Sequence, residues 1–339
     1  MRATSTEAAL GFSRHRGWDF GDYPYSMEPL TLPHPPEPVT LAPGSLSPAA
    51  EDAVTRFLAE AREGFGTTDP IDAASLERLF WFRWIIGHHV SFVIWRLIAD
   101  ALADVHRGTG DQDAAAVRLT EYVRAYCGML LYTGSSTREI YQRTIRPSMY
   151  RQHDKFSGTW APDYPGVRSL FRGRRPPPVV PHRTAELLRE IALTNQIHLG
   201  VASKLVDQGR SLLQAAVLEG NIASHRSWGA VFDCYFLTLR APVARKEVTA
   251  QLLRRQKAVA IDLATNGLYP DVGDALDPVP DELRDPAVTE CEKDLIPALV
   301  RTAALAAGRA PDTVTGSGGG PPTGTGTDDG TGPGAPAAR

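Results

Sequence analysis

The amino-acid sequence predicts an all-α protein. Three observations carry that expectation. Apolar residues recur at helical spacing from about Ser47 to Ala307, start and stop signals bracket those stretches, and no segment shows the sustained alternation of a half-buried strand. No repeat at solenoid period interrupts the pattern.

From Gly17 to Pro48 the chain is rich in Pro, Tyr and Gly, with Pro33-His34-Pro35-Pro36 at its centre, and reads as an extended arm over a core. Ser47 then stands as an N-cap before Pro48 at the first helical position, and Gly64 closes that helix. A long helix is expected over Ser75–Arg107, ended by Gly108, and another over Asp113–Leu131. Ser136-Thr137-Arg138-Glu139 opens a further helix that should stop before Pro147. Ser148–Pro181, with Phe156, Trp160, Tyr164, Phe171 and Pro176-Pro177-Pro178, reads as a long irregular loop of the kind that lids or binds. Helices resume at Arg183–Gln208, Ser211–Gly220, Ala223–Leu239, Val243–Asn266 (capped by Gly267) and Pro280–Ala307. After Pro311 the chain is almost entirely Gly, Thr, Pro and Asp. Such a tail buries too little apolar surface to offset its ordering entropy and is expected to be disordered. The division is therefore a Pro-rich arm at 1–46, a helical domain at 47–310 and a tail at 311–339.

Composition narrows the function classes. With 339 residues, 42% hydrophobic and 22% charged, and a net charge of −3, the chain looks like an ordinary globular protein without the basic footprint of a nucleic-acid binder. Cys127, Cys234 and Cys291 are sparse, odd in number and without CxxC spacing, as expected for reduced thiols in a cytoplasmic protein. Met1–Leu10 lacks the apolar stretch of a secretory signal. The most apolar segment, Phe80–Ala103, carries Arg83, His88, His89 and Arg96, which suits a buried helix better than a membrane span.

That segment is also the most informative chemically. His88 and His89 stand in an apolar helix with Trp81, Trp84, Phe92 and Trp95 about one turn apart around them. One reading is a pair of core histidines satisfied by neighbouring carbonyls. The other is a neutral base among large flat rings, suited to a planar cofactor or an aromatic substrate. Hydrolase and nucleotide motifs are missing: there is no HExxH, no paired Glu-x-x-His, no Walker loop, no dinucleotide glycine fingerprint and no GxSxG elbow. Histidines on helices are an ordinary setting for axially ligated haem.

The run Ile85-Ile86-Gly87-His88-His89, followed by Trp95-Arg96, resembles the distal-histidine helix of the tryptophan 2,3-dioxygenase superfamily. There an aliphatic stretch precedes His-Gln and then Glu-Leu-Trp-Phe-Lys. The family Glu is Val93 here, and the Gly-Thr-Gly-Gly-Ser-Ser-Gly loop is absent. These departures, the paired histidines and the segment Tyr150–Tyr164 are more similar to the haem-dependent L-tyrosine 3-hydroxylases of actinomycete antibiotic pathways. The resemblance implies a helical bundle of the dioxygenase type, haem b as cofactor, and peroxide-driven conversion of L-tyrosine to L-DOPA. Its partners would be L-tyrosine and hydrogen peroxide, with neither nucleic acid nor membrane involved. The Pro-rich arm adds a possible homodimer.

Under that resemblance the His88–His89 helix supplies the distal base. Trp84, one turn before, favours His88 as the pocket-facing imidazole, whereas the six-residue spacing to Trp95 favours His89. The iron ligand is expected downstream, at His198, where Gly200-Val201-Ala202 leaves room for a porphyrin, or at His225. His15, His34, His106 and His182 fall in loops or at helix ends. A substrate carboxylate calls for a guanidinium. Among Arg138, Arg143, Arg146 and Arg151, Arg146 is preferred for its place before Pro147. Trp84, Phe92 and His153 complete the expected substrate contacts, with Trp84 also against the cofactor; Tyr132, Tyr141 and Tyr150 could line the same region. Competing functions are an indole dioxygenase or oxidase, a non-enzymatic haem or gas-sensing protein, and a structural helical module.

Overall fold

A computed structural model describes residues 18–35, 48–68, 70–72, 75–108, 110–172, 177–206, 212, 227–270 and 278–309. The architecture is helical, with α1 (Pro48–Glu63), α2 (Leu76–Arg107), α3 (Gln112–Thr133), α4 (Arg138–Ile140), α5 (Arg146–Gln152), α6 (Arg168–Phe171), α7 (Pro181–Leu205), α8 (Trp228–Tyr235), α9 (Arg245–Asn266), α10 (Pro286–Lys293) and α11 (Leu295–Ala306). The expected all-α class is what the structure shows. Two three-residue strands that alternation could not reveal, β1 (Leu30–Leu32) and β2 (Thr238–Arg240), pair in parallel with Leu30 opposite Thr238.

Helix α2 is the axis of the fold. Its stretch of Leu, Phe, Trp and Ile is apolar all round, so it must be surrounded, and it packs on α3 and α9. By length and composition it would pass for a membrane span, yet 83% of its most apolar stretch is buried inside the protein. Gly108 ends it in the left-handed conformation, φ 64°. The approach of α3 depends on Gly87: a Cβ there would lie 2.4 Å from Thr133 Cγ2 and 3.0 Å from Tyr132 Cδ1.

Buried charge ties α2 to its neighbours. Arg83 pairs with Asp262 of α9 through Nε at 2.8 Å and also reaches Ser135 Oγ, Leu268 O and Gly267 O. The second Asp262 partners are Tyr132 Oη at 2.7 Å and Asn266 Nδ2 at 2.9 Å. With both ions hydrogen-bonded, the pair avoids the cost of uncompensated buried charge.

The helix expected to stop before Pro147 instead runs on. Arg138–Ile140 continues through a π-helical turn, Tyr141–Ile145, into α5, where Pro147 occupies the first turn. Pro147 has no N–H to give to the carbonyl one turn back, and the wider turn absorbs that missing bond. The stretch Ser148–Pro181 is correspondingly less irregular than expected, holding the end of α5, two 3₁₀ turns (Gly158–Trp160 and Tyr164–Gly166) and α6. Of the helix expected over Ala223–Leu239, positions 223–226 lie outside the described residues and the rest shows as α8 followed by β2, while Pro280–Ala307 divides into a 3₁₀ turn, α10 and α11. The expected helix Ser211–Gly220 and the tail 311–339 lie outside the described residues, apart from position 212.

The arm, over 18–35, packs into the core of its own chain. Trp18, Phe20, Tyr25, Leu30 and Leu32 are buried, with Trp18, Phe20 and Tyr25 set against Phe82.

Candidate active site

Between Leu79 and Ile98, every residue of α2 is buried except Trp81, Trp84 and His88. Their spacing of three and four places them on one face, so the helix opens a single stripe of two indoles and an imidazole. The elements opposite are α8 with its following residue Phe236, and the π turn with α5.

His88 is held on three sides. Its Nδ1–H donates to Trp84 O at 2.6 Å, which leaves Nε2 as the lone-pair nitrogen. The ring lies 4.3 Å from Trp84 and stacks on Phe236 at 4.4 Å and 26°. Nε2 has no hydrogen-bond partner among the described residues. Burial pushes the imidazole down to about 4, against the smaller opposing effect of the Trp84 carbonyl, so it is a neutral base at physiological pH.

His89 is wholly different. It is fully buried, its Nε2–H donates to Phe236 O, and its Nδ1 accepts from Arg255 Nε at 3.3 Å. Burial, with the Arg255 charge added, holds it well below the usual histidine range. With both nitrogens engaged, His89 has nothing to offer a guest. Of the adjacent pair, His88 alone presents a free nitrogen, as its place after Trp84 favours and against the alignment of His89 with Trp95.

The surrounding polar groups come from three elements. Trp84 Nε1 donates to Tyr235 Oη at 3.1 Å, and Ser148 Oγ meets the same hydroxyl at 2.8 Å. Burial raises Tyr235 to about 12, so the phenol stays protonated. Tyr141 stands edge-on to Trp84 at 6.0 Å, and Arg146 hydrogen-bonds the Tyr141 hydroxyl. The π turn therefore carries Tyr141 and Arg146 to the same side. The other arginines are engaged elsewhere or exposed: Arg143 pairs with Glu77 and Glu139, Arg138 binds Lys204 O and Ser203 O, and Arg151 lies in solvent.

Phe92 is within 6.0 Å of His88 but is 1% exposed, packed behind it on Trp95, Phe232 and Phe236. It forms the back wall. His153 sits at the edge, its side chain 35% exposed and its Nδ1 shared by Asp154 and Lys155 N, between the rings of Trp160 and Trp228. Those two indoles stack at 4.3 Å, and Trp160 leads through Phe156 to Tyr235.

His198 is on the exposed side of α7, next to Leu199 at 63% exposure, and shares no ring contact or hydrogen bond with a described residue. The room expected beside it at Gly200 is filled: a Cβ there would lie 2.6 Å from Leu283 Cγ, and Val201 is pressed on Gly134. His225 lies outside the described residues, as does His15. His106 donates to Leu102 O, His182 meets Asp113 at the surface, and His34 is exposed. Among the described residues no cluster of three His, Cys, Asp or Glu side chains is placed to hold a bare metal ion.

Sequence reasoning passed over Tyr235, Phe236, the Ser148 side chain and Arg255, and placed Phe156 in a binding loop without giving it a role. A signal for the first two existed, since Trp228, Phe232, Tyr235 and Phe236 recur at helical spacing, as an aromatic face does.

Fold and site together define a helical protein whose buried axis bears one neutral, free-nitrogen histidine walled by aromatic rings. Residues 40–192 match the family model described as SfmD 3-methyl-L-tyrosine peroxygenase. The 3-methyl-L-tyrosine peroxygenase of Streptomyces lavendulae is 31% identical over 146 residues, 39% of this chain, and the match spans 40% of that relative's length. The family match takes in the whole of α2, including the His88–His89 pair. The matched family segment includes Trp84, His88, Arg146 and His153, and ends within α7 before Tyr235, Phe236 and Arg255.

Proposed function

We propose that this protein is a haem-dependent peroxygenase that hydroxylates L-tyrosine beside its phenol oxygen to give L-DOPA, with hydrogen peroxide consumed and water released. The observation that carries the reading is His88 Nε2: a neutral base without a hydrogen-bond partner among the described residues, on the half-open aromatic stripe of a helix otherwise buried from Leu79 to Ile98. That arrangement fits the distal side of a haem pocket, where an acid–base group must stand unprotonated and dry.

Iron would be held by an imidazole other than His88. Of the two histidines expected to hold it, His198 has Leu283 filling the room beside it at Gly200, so His225 is proposed first and His198 second, and haem would supply the two-electron activation of peroxide that no side chain here can provide. The chain's own residues have defined tasks. His88 Nε2 takes a proton from peroxide and returns it to the departing oxygen, while its Nδ1–H stays on Trp84 O. Trp84, with Phe92 and Phe236 behind the imidazole, keeps water from the base and offers flat surface to a phenol ring. Arg146, freed from Tyr141 on binding, forks onto the substrate carboxylate. His153, between Trp160 and Trp228 at the edge, contacts the amino-acid end.

An absorption spectrum tests this. The full chain supplied with hemin should show a Soret band that shifts with L-tyrosine more than with L-tryptophan, and should form L-DOPA with peroxide. His88→Gln should keep the band and lose turnover, whereas loss of the ligand histidine, by His198→Ala or His225→Ala, should abolish it. A folded chain that takes up no hemin would sink the proposal. A band that responds to tryptophan and not tyrosine would replace it with an indole oxidase.

A further inference from the structure

Arg255 is a buried cation that no carboxylate among the described residues hydrogen-bonds, although the charge of Glu28 acts on it from nearby. At 1% exposure it donates to Gln251 O at 3.0 Å, Glu28 O at 3.1 Å, Pro29 O at 3.0 Å and His89 Nδ1 at 3.3 Å, with the face of Phe20 5.2 Å away. Burial lowers it to about 9, still a cation at neutral pH. A charge retained in so dry a place, hydrogen-bonded among the described residues by carbonyls and one imidazole, needs a structural reason.

The geometry points to one. We infer that Arg255 and His89 are positioning residues for His88, acting through the Phe236 carbonyl and ring. This inference rests on the reading of His88 as the working base. A guanidinium can only donate, so its bond to His89 Nδ1 makes that nitrogen an acceptor and leaves the proton on Nε2. His89 Nε2–H then holds Phe236 O, which also accepts from Thr238 Oγ1 at 3.3 Å. Phe236 is the residue after α8, and its ring is the stacking partner of His88. The next residue, Leu237, has a left-handed φ of 50°, and its carbonyl accepts from Leu30 N at 3.0 Å. Phe236 is therefore gripped at its carbonyl by His89 and followed at once by a chain reversal pinned to the arm. Removing that grip frees the ring, and with it one of the two walls that keep His88 Nε2 facing outward. The two adjacent imidazoles divide the work: one meets the guest, and the other sets the angle at which the first does so.

The test uses the full chain labelled with 15N at histidine, read before hemin is added, and kinetics on the haem-loaded protein afterwards. Wild type should show His88 as a single Nδ1–H tautomer. His89→Leu and Arg255→Met should give mixed His88 tautomers, with kcat down about tenfold to a hundredfold and KM changed much less, as misplacement of a base demands. His89→Gln, whose amide can donate to Phe236 O, should recover the single tautomer and most of kcat. Arg255→Lys, which keeps the charge but loses the fixed fork of donors, is the milder variant should the others not fold. Folded variants that keep the single tautomer and a kcat within about twofold would overturn the inference. The NMR arm decides it even if the chain does not act on tyrosine, which separates this failure from that of the functional reading.

Discussion

Burial of His88 has a measurable consequence for stability. The imidazole lies at about 4 in the folded chain, against 6.5 when unfolded. Above pH 6.5 it is neutral in both states and contributes no pH dependence. Below that, the unfolded chain takes up a proton that the folded chain refuses, so stability falls as pH drops from 6.5 towards 4 and levels off beneath. With those two values, the loss from this one residue is about 2 kcal/mol at pH 5 and close to zero at pH 7.5. His88→Gln cannot titrate, while every other group, His89 included, is shared by the two proteins. Urea unfolding of both at pH 7.5 and pH 5 should therefore show the wild type losing about 2 kcal/mol more than the variant. Equal losses would mean that His88 is solvated in the folded state, and the neutral-base argument would go with it.

Other perturbations have distinct signatures. Gly87→Ala would put a methyl group 2.4 Å from Thr133 Cγ2, forcing α2 from α3 at a cost of about 1–3 kcal/mol, visible as a lower denaturant midpoint. Asp262→Asn leaves Arg83 buried without its counter-charge and should destabilise by about 3–5 kcal/mol in the same assay. Arg146→Lys replaces a fork with a point charge and should raise KM for L-tyrosine about tenfold or more with a smaller change in kcat; an unchanged KM would move carboxylate recognition elsewhere. Tyr235→Phe removes the hydroxyl shared by Trp84 and Ser148, so Trp84 fluorescence and L-tyrosine affinity should both change while the fold persists.

Much of this was legible in the residues. The helices α2, α3 and α9 announce themselves through periodicity, α2 and α9 also through the glycines that stop them, and the His88–His89 stripe stands out because imidazoles are costly in an apolar helix. What escaped depends on long-range contact. That His89 is locked and His88 free follows from Phe236 O and Arg255, both more than 140 residues away, and no local spacing encodes it. Pro147 reads as a helix end because proline removes one hydrogen bond, but a π turn accommodates that loss and the helical backbone runs on. Gly200 reads as space, whereas Leu283 fills it. The three-residue strands are too short for alternation to register.

The pairing of β1 with β2 also dictates when during folding the site becomes complete. Gln251 holds Thr31 across 220 residues, and Arg255 reaches Pro29 across 226. Contacts of such sequence separation carry the largest loop-closure cost and form slowly. On a ribosome the arm emerges first and must wait for nearly the whole helical domain before its partner strand exists. Until then Phe82 lacks its cover and His89 lacks the cation that sets its tautomer. A chain stopped short of α9 would build most of the α2–α3 core and still have an unaligned base, so the competence of His88 reports the last stage of assembly.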